Sequence, residues 1–462
     1  MHIEFDTKQF KLTGTLTTFS STFGQLLIEC FGGLLYQRGM HIFLTLSHGW
    51  ALSQESHTLA HYIWLSGGSQ FRHFSRYYVF LTESFWPKRA AFWLRIYAWI
   101  DRVLPTEMRV ELLLDDTRRK KSGKKIQGCA HYSNRAGSAR QEYRVLWGLN
   151  FVYICLRVDW RGYQLSIPLA ISVYLKEEQA KKRGRAYQSR SQLAPQMLEL
   201  VLKGMPQRHF PLVADGGYAT PQMQKDLDSR IHFAGRIMVS AAIYERPAPG
   251  KPGKRGRKPQ KGKKLPAPKT WPDHYDDWQE HPTEAGTWIR STTARWHKVR
   301  PGEDLLIVVV WRPHLKEKAH PRDQRRVLEA FFSTDLNESQ EAVLEAYAGR
   351  WAVEIDIRDA YAHYGLGLDR CRNLTRIEAL NQMRLMLAAA RTIWFMVTYQ
   401  NQTLDLVYLR PWYIAKADPS QRDIATALRE ALNQEAISPI PRFFIPIAEI
   451  RQIWQHFFRA TA

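Results

Sequence analysis

The sequence predicts an α/β protein: a mixed five-stranded sheet flanked by helices, interrupted by a β insertion and bracketed by helical N- and C-terminal regions. Two observations predict it. Across residues 109–240 the apolar pattern runs strand, strand, strand, helix, strand, helix, strand, an alternation that layers helices on a sheet. On both sides of the core the apolar residues recur at helical spacing instead. The expected organisation is a helical region over 1–105, the first part of the core over 106–244 and a basic loop with a β insertion over 245–303. The second part of the core follows over 304–370, and a helical region over 371–462.

Residues 16–104 read as helices through 19–36, 40–50, 57–65 and 71–85, with breaks at Gly39, Ser53 and Gly67-Gly68. Short helices on tight turns suit a DNA-reading bundle. Within them the run 70–78, QFRHFSRYY, interleaves Arg72 and Arg76 with aromatic residues, which lets one face touch phosphates.

At Arg109 the pattern changes. Residues 109–114, RVELLL, form a strand that runs directly into Asp115-Asp116-Thr117, and a basic turn at 118–125 follows. Residues 128–144 are polar and loop-like, and two β-rich segments, 146–160 and 163–174, meet at Arg161-Gly162 as a hairpin. After a charged segment and a helix at 191–203, the short strand 210–214 ends at Asp215, with Gly216-Gly217-Tyr218 behind it. A helix at 221–228 and a strand at 232–240 close the unit.

Residues 246–272 hold no acidic residue and are dominated by Pro, Gly and Lys. This predicts a mobile basic loop, with Lys254, Arg255, Arg257 and Lys258 at its densest point, that binds phosphates without reading sequence. Residues 271–300 space Trp278, Trp288 and Trp296 along a strand-like pattern, the β insertion. Strands return at 305–311 and 330–334 before a helix begins at Glu338, and helices at 376–395 and 421–458 complete the chain.

Composition narrows the function. Sixty-six Lys and Arg against 44 Asp and Glu leave a net charge of +22, which a polyanion relieves; nucleic acid leads as partner over an anionic membrane. Four cysteines stand singly, without a disulfide framework or a C-x-x-C zinc pattern, so a reducing compartment is expected. The N-terminal MHIEFDTKQF lacks the apolar core of a signal peptide, and every apolar run is too short or carries a charge. The expectation is a cytoplasmic, nucleoid-associated protein without a membrane partner.

The most specific pattern lies in 338–367. Tyr347, Arg350, Trp351, Glu354, Arg358 and Tyr361 recur at intervals of three and four and share a stripe. A buried helix would fill it with Leu and Ala, and a solvated one with Lys and Glu. The spacing Y-x2-R-x3-E resembles the third block of DDE transposases of the bacterial insertion-sequence type, where a catalytic glutamate sits within Y-x2-R-x3-E-x6-K. Tyr347, Arg350 and Glu354 match, as does Trp351; the lysine position holds Tyr361. The resemblance extends to Asp115 with Thr117 two positions on, and to Asp215 before Gly-Gly-Tyr. It covers residues 109–370 and implies an RNase H-like core, which the order of elements fits.

Phosphodiester chemistry needs a basic nucleophilic oxygen and neutralised charge at phosphorus. Carboxylates on strand ends are suited to hold the two metal ions that supply both. The resemblance implies Asp115, Asp215 and Glu354 as catalytic residues and Mg²⁺ as cofactor, two ions with Mn²⁺ able to substitute. Asp115 directly ends its strand; Asp116 remains a second candidate ligand. Glu345, Asp356 and Asp359 fall off the stripe and read as surface charges. By position, Tyr347 and Arg350 take the grip on the phosphate beside the transposon end. Arg358 is the cation that could stand in for the lysine, and Arg118, Arg119, Lys120 and Lys121 flank the first aspartate as further phosphate contacts. Trp288, Trp296 and Trp351 are candidates to stack on a flipped base. The implied activity is cut-and-paste movement: cleavage at the element's ends, a hairpin intermediate, and strand transfer into target DNA by a homodimer on double-stranded ends. The alternatives are a non-catalytic DNA-binding protein of transposase descent and an RNase H-like nuclease that cuts without joining.

Overall fold

Strand β1 (Val110–Lys120) begins with the run VELLL, buried throughout. Both of its faces are covered there, so the apolar residues do not alternate with polar ones. It lies antiparallel to β3 (Arg144–Trp160), which turns back into β4 (Tyr163–Tyr174). The turn residues Arg161 and Gly162 both have positive φ, 57° and 79°, the two-residue geometry that matches strand twist. Strands β5 (Phe210–Ala214) and β6 (Ile231–Arg236) run parallel to β1, giving the order β4-β3-β1-β5-β6. The computed structural model describes residues 21–54, 56–134, 144–225, 227–248, 259–317, 326–401 and 418–437.

The sheet continues beyond β6. Strand β10 (Leu328–Ser333) pairs with β6, β9 (Leu305–Trp311) with β10, β8 (Trp288–Ala294) with β9, and β7 (Gln279–Glu280) with β8. With β2 (Ala130–Asn134) on β3, the expected five-stranded sheet has ten strands among the described residues. The reason is hydrogen bonding: a buried strand such as LLIVVVW needs backbone partners, and the open edge of β6 leads to them. The strands expected as an insertion therefore extend the central sheet.

Two further expectations are corrected. Arg118, Arg119 and Lys120, expected in a turn, belong to β1 and pair with Asn150, Leu149 and Gly148, since ladder hydrogen bonds do not depend on apolar side chains. Residues 249–258 of the basic loop, with Lys254, Arg255, Arg257 and Lys258, lie outside the described residues. The rest of that segment is folded: Lys264 bridges to Tyr244, and Trp271 in the turn Pro268–Asp273 is fully buried. A single tryptophan anchors a stretch whose composition suggested none.

Among the described residues, five α-helices precede the sheet: α1 (Thr22–Phe31), α2 (Gln37–Leu52), α3 (Leu59–Leu65), α4 (Ser75–Val79) and α5 (Trp86–Val103). Within the core come α6 (Glu177–Lys181), α7 (Arg190–Gly204), α8 (Pro221–Lys225), α9 (Gln340–Gly349) and α10 (Trp351–Asp359), followed by α11 (Leu374–Thr398) and α12 (Gln421–Ile437). Helix α11 is buried around nearly its whole circumference, the mark of a helix enclosed by other elements. One continuous apolar cluster joins Phe92 and Tyr97 of α5, Leu113 and Phe151 of the sheet, and Leu385 and Phe395 of α11. The Tyr97 hydroxyl donates to the Leu169 carbonyl at 2.8 Å. Among the described residues no helix is long and apolar enough to cross a membrane.

Candidate active site

In the parallel pair β1 and β5, Leu114 stands beside Ala214. The residue after each is an aspartate, Asp115 midway along β1 rather than at the strand end expected for it, and Asp215 directly past the end of β5, so the two stand side by side. Side chains alternate along a strand, and this separates Asp115 from Asp116. Asp115 shares a face with Thr117, whose Oγ1 lies 2.6 Å from the Tyr361 hydroxyl. Asp116 points to the opposite face. There it pairs with Arg190 at the start of α7, accepts from Asn150 Nδ2 at 3.2 Å, and has Arg118 at 3.7 Å. Asp116, expected among the metal ligands, is here paired with Arg190 and Arg118. Arg190 had no signal of its own, but the S-x-x-Q capping box that fixes it, Ser189 with Gln192, was readable.

The third carboxylate comes from the helix. Ser339 caps α9, accepting from the Ala342 N–H at 3.1 Å. Arg350 joins α9 to α10 through tight bonds: its N–H reaches the Tyr347 carbonyl at 3.1 Å, and its own carbonyl accepts from Val353 at 3.0 Å. Arg157 packs against Gly349, where a side chain would collide with its guanidinium. From this junction Arg350 donates Nη1 to Asp115 Oδ2 at 3.1 Å and Nη2 to Glu354 Oε1 at 2.8 Å. Asp215 is exposed and accepts from the Gly216 N–H at 2.7 Å.

Burial pushes the Asp115 carboxyl up to about 6; the Asp116 N–H and the Arg350 guanidinium oppose this, and the charges of Asp116 and Asp215 add to it. Once Asp115 is ionised, Asp115 and Glu354 face one bridging guanidinium and the Asp215 charge lies close enough to act on Asp115, a set of hard oxygens with surplus negative charge. The chemistry of these donors suits a hard divalent ion, and Asp115, Asp215 and Glu354 are the carboxylates that would hold one. They are not drawn into a ready cluster: no group of three or more His, Cys, Asp or Glu side chains able to hold an ion occurs among the described residues. Arg350 lies between two of them.

The remaining expected residues divide. Tyr347 packs on Phe331 with ring centroids 4.7 Å apart, Trp351 is 61% exposed, and Arg358 is exposed beside Asp359. Tyr361 turns inward, with the Arg119 guanidinium 4.9 Å over its ring. Arg76 and Lys120 are exposed, while Arg72 and Trp288 are half-buried. Arg118 also donates to the Ser133 carbonyl at 2.6 Å. Lys121 is no phosphate contact here: its side chain is 8% exposed and it donates to the Asp369 carbonyl at 2.8 Å. Trp296 is core, edge-on to Phe332 at 5.4 Å, and cannot meet a flipped base there. Glu345 is exposed as expected, but Asp356 and Asp359 are buried. Asp356 accepts from the Tyr153 hydroxyl at 2.6 Å and the Tyr364 hydroxyl at 3.0 Å. Its signal was its place beside Val353, Ile357, Ala360 and Tyr364, the buried stripe of the helix.

A family model described as DDE superfamily endonuclease matches residues 62–298. The match spans more than half of the chain and includes Asp115 and Asp215; Glu354 lies beyond it. Among curated proteins no relative matches the chain. With the neighbouring strands β1 and β5 presenting two aspartates side by side and a helix adding a glutamate, the chain belongs to the DDE superfamily endonucleases, a transposase-type family of RNase H-like fold whose members cut DNA with divalent metal ions.

Proposed function

We propose that the protein is a cut-and-paste transposase that cleaves DNA at the ends of a mobile element, through a hairpin intermediate, and joins the freed 3′ hydroxyl to target DNA. It acts as a homodimer on paired double-stranded ends. The observation that carries this reading is the side-by-side placement of Asp115 and Asp215 on the neighbouring strands β1 and β5, with Glu354 tied to Asp115 through Arg350. A carboxylate within a strand, one directly past a strand end and one on a helix hold firmer positions than a long loop would give.

Two Mg²⁺ ions, or Mn²⁺, bound by Asp115, Asp215 and Glu354 supply a basic nucleophilic oxygen and neutralise the charge that builds at phosphorus. The other roles fall to the chain itself. Arg350, once it leaves its carboxylates, offers a planar fork to a phosphate, with the Tyr347 ring 5.7 Å from its guanidinium carbon. Arg119, over the Tyr361 ring on the Asp115 side of the sheet, supplies the cation that position 361 lacks; this role suits it better than Arg358, which leans on Asp359. Trp351 is exposed enough to stack on an extruded base. Arg72, Arg76, Arg118 and Lys120, with Lys254, Arg255, Arg257 and Lys258 of the basic segment, add sequence-independent phosphate contacts.

The test is to incubate the protein with Mg²⁺, DNA carrying the element's ends and a target plasmid, beside Asp115→Ala, Asp215→Ala and Glu354→Ala. Cut and joined products that vanish in all three variants are expected. Cutting without joining leaves a nuclease, and binding without cutting leaves a DNA-binding protein of transposase descent.

A further inference from the structure

Carboxylates gathered at one end of a sheet repel each other, and the fold answers with an internal cation. Arg350 donates to Asp115 at 3.1 Å and to Glu354 at 2.8 Å, and its side chain is only 17% exposed. In that pose the guanidinium directs both terminal nitrogens at carboxylates, so its fork is not open to a phosphate. It also fills the gap between two groups that would bracket a metal ion. Neighbouring cations are engaged elsewhere: Arg157 with Glu111, Arg190 with Asp116, Arg236 with Glu329. Arg350 thus cannot bridge the carboxylates and grip DNA at once. Leaving the bridge needs only side-chain rotation, because its backbone is fixed at the α9–α10 junction.

We propose that Arg350 is a positioning residue that couples phosphate to metal: it bridges Asp115 and Glu354 in the free protein, and a DNA phosphate draws it away and opens both carboxylates to the divalent ion. The inference rests on the metal-dependent reading of Asp115, Asp215 and Glu354. DNA and metal then bind with positive cooperativity, by the same factor from either side. The free protein holds metal weakly and so keeps its centre incomplete until DNA is seated.

The experiment follows free Mn²⁺ by electron paramagnetic resonance at neutral pH. It uses the full chain, Arg350→Gln, Arg350→Lys and Asp215→Ala, each with and without a short DNA duplex. The duplex is expected to tighten Mn²⁺ binding to the wild type by about tenfold, within the usual range of such couplings. Arg350→Gln is expected to bind Mn²⁺ that tightly without DNA and to gain little from the duplex. Arg350→Lys keeps the charge but loses the fork, and is expected to move toward Arg350→Gln. If Arg350→Lys matches the wild type in both conditions, or the duplex tightens all Arg350 variants equally while Asp215→Ala weakens binding, the coupling is wrong and the metal site stands. If no protein binds Mn²⁺ with or without DNA, the metal-dependent reading fails as well.

Discussion

Asp115 and Asp116 differ by one position and by a whole sheet face, so exchanging each for asparagine separates chemistry from stability. Asp115→Asn is expected to abolish cutting while the fold persists. Asp116→Asn leaves Arg190 without its anion and is expected to lower stability by about 1–2 kcal/mol while cutting continues; urea unfolding beside a cleavage assay reads both. Equal loss of cutting in the two variants would refute the assignment of faces. Asp115 also sets a pH dependence. Burial raises its carboxyl to about 6, and a metal ligand must be ionised, so binding weakens as pH falls through 6 rather than through 4. From pH 7.5 to pH 5 the Mn²⁺ affinity is expected to drop about tenfold from this group alone; no change between those two titrations would remove Asp115 from the ligand set. The sequence made Asp115 the first choice because it directly ends the apolar run. It could not give the face, which depends on pairing with Tyr153 and the neighbouring Ala214. Lys121 and Trp296 were read by residue type, yet distant partners, Asp369 and Phe332, decide what they do.

Helix α10 is held to the sheet by a buried acid, and that anchor titrates. Burial raises the Asp356 carboxyl to about 6, opposed by the hydroxyls of Tyr153 and Tyr364. Its folded value lies above the ordinary 3.8, so its contribution to stability is full below that value and is lost as pH climbs through about 6. Asparagine cannot ionise. Relative to the wild type, Asp356→Asn is therefore expected to gain on the order of 3 kcal/mol between pH 4 and pH 7, read from urea unfolding across that range; parallel curves for the two proteins would contradict it. The stripe of Tyr347, Arg350 and Glu354 was legible because charged and phenolic groups at helical spacing are unusual on either a buried or a solvated face. The tightening at Arg350 and the wider turn Ala360–Tyr364, which ends at Gly365 with φ 82°, were not. They come from contacts with Arg157, Tyr153 and His57 on other elements. The strands with apolar runs were legible for the same local reason, whereas β2 and the polar half of β1 are strands only because β3 lies alongside them.

Helical spacing in the first hundred residues showed helices but not what they cover, and the structure packs them against the sheet and α11. Tyr97 donates to Leu169, Arg208 pairs with Asp101, the Trp50 indole donates to the Tyr364 carbonyl at 3.1 Å, and Arg384 of α11 donates to the Tyr62 hydroxyl at 3.0 Å. The family match likewise begins at residue 62, inside α3 and well ahead of the first aspartate. Helix α11 has no solvent face to expose, so removing α1–α5 uncovers apolar surface on it and on α7 that no other element can close. The full chain is expected to unfold in one calorimetric transition whose van't Hoff and calorimetric enthalpies agree. A chain starting at residue 106 is expected to bind a hydrophobic dye and to lose that transition. If the shortened chain melts cooperatively at the full chain's temperature, the helices form a separate unit, and any hold they have on DNA must reach the active site through a linker rather than through a shared core.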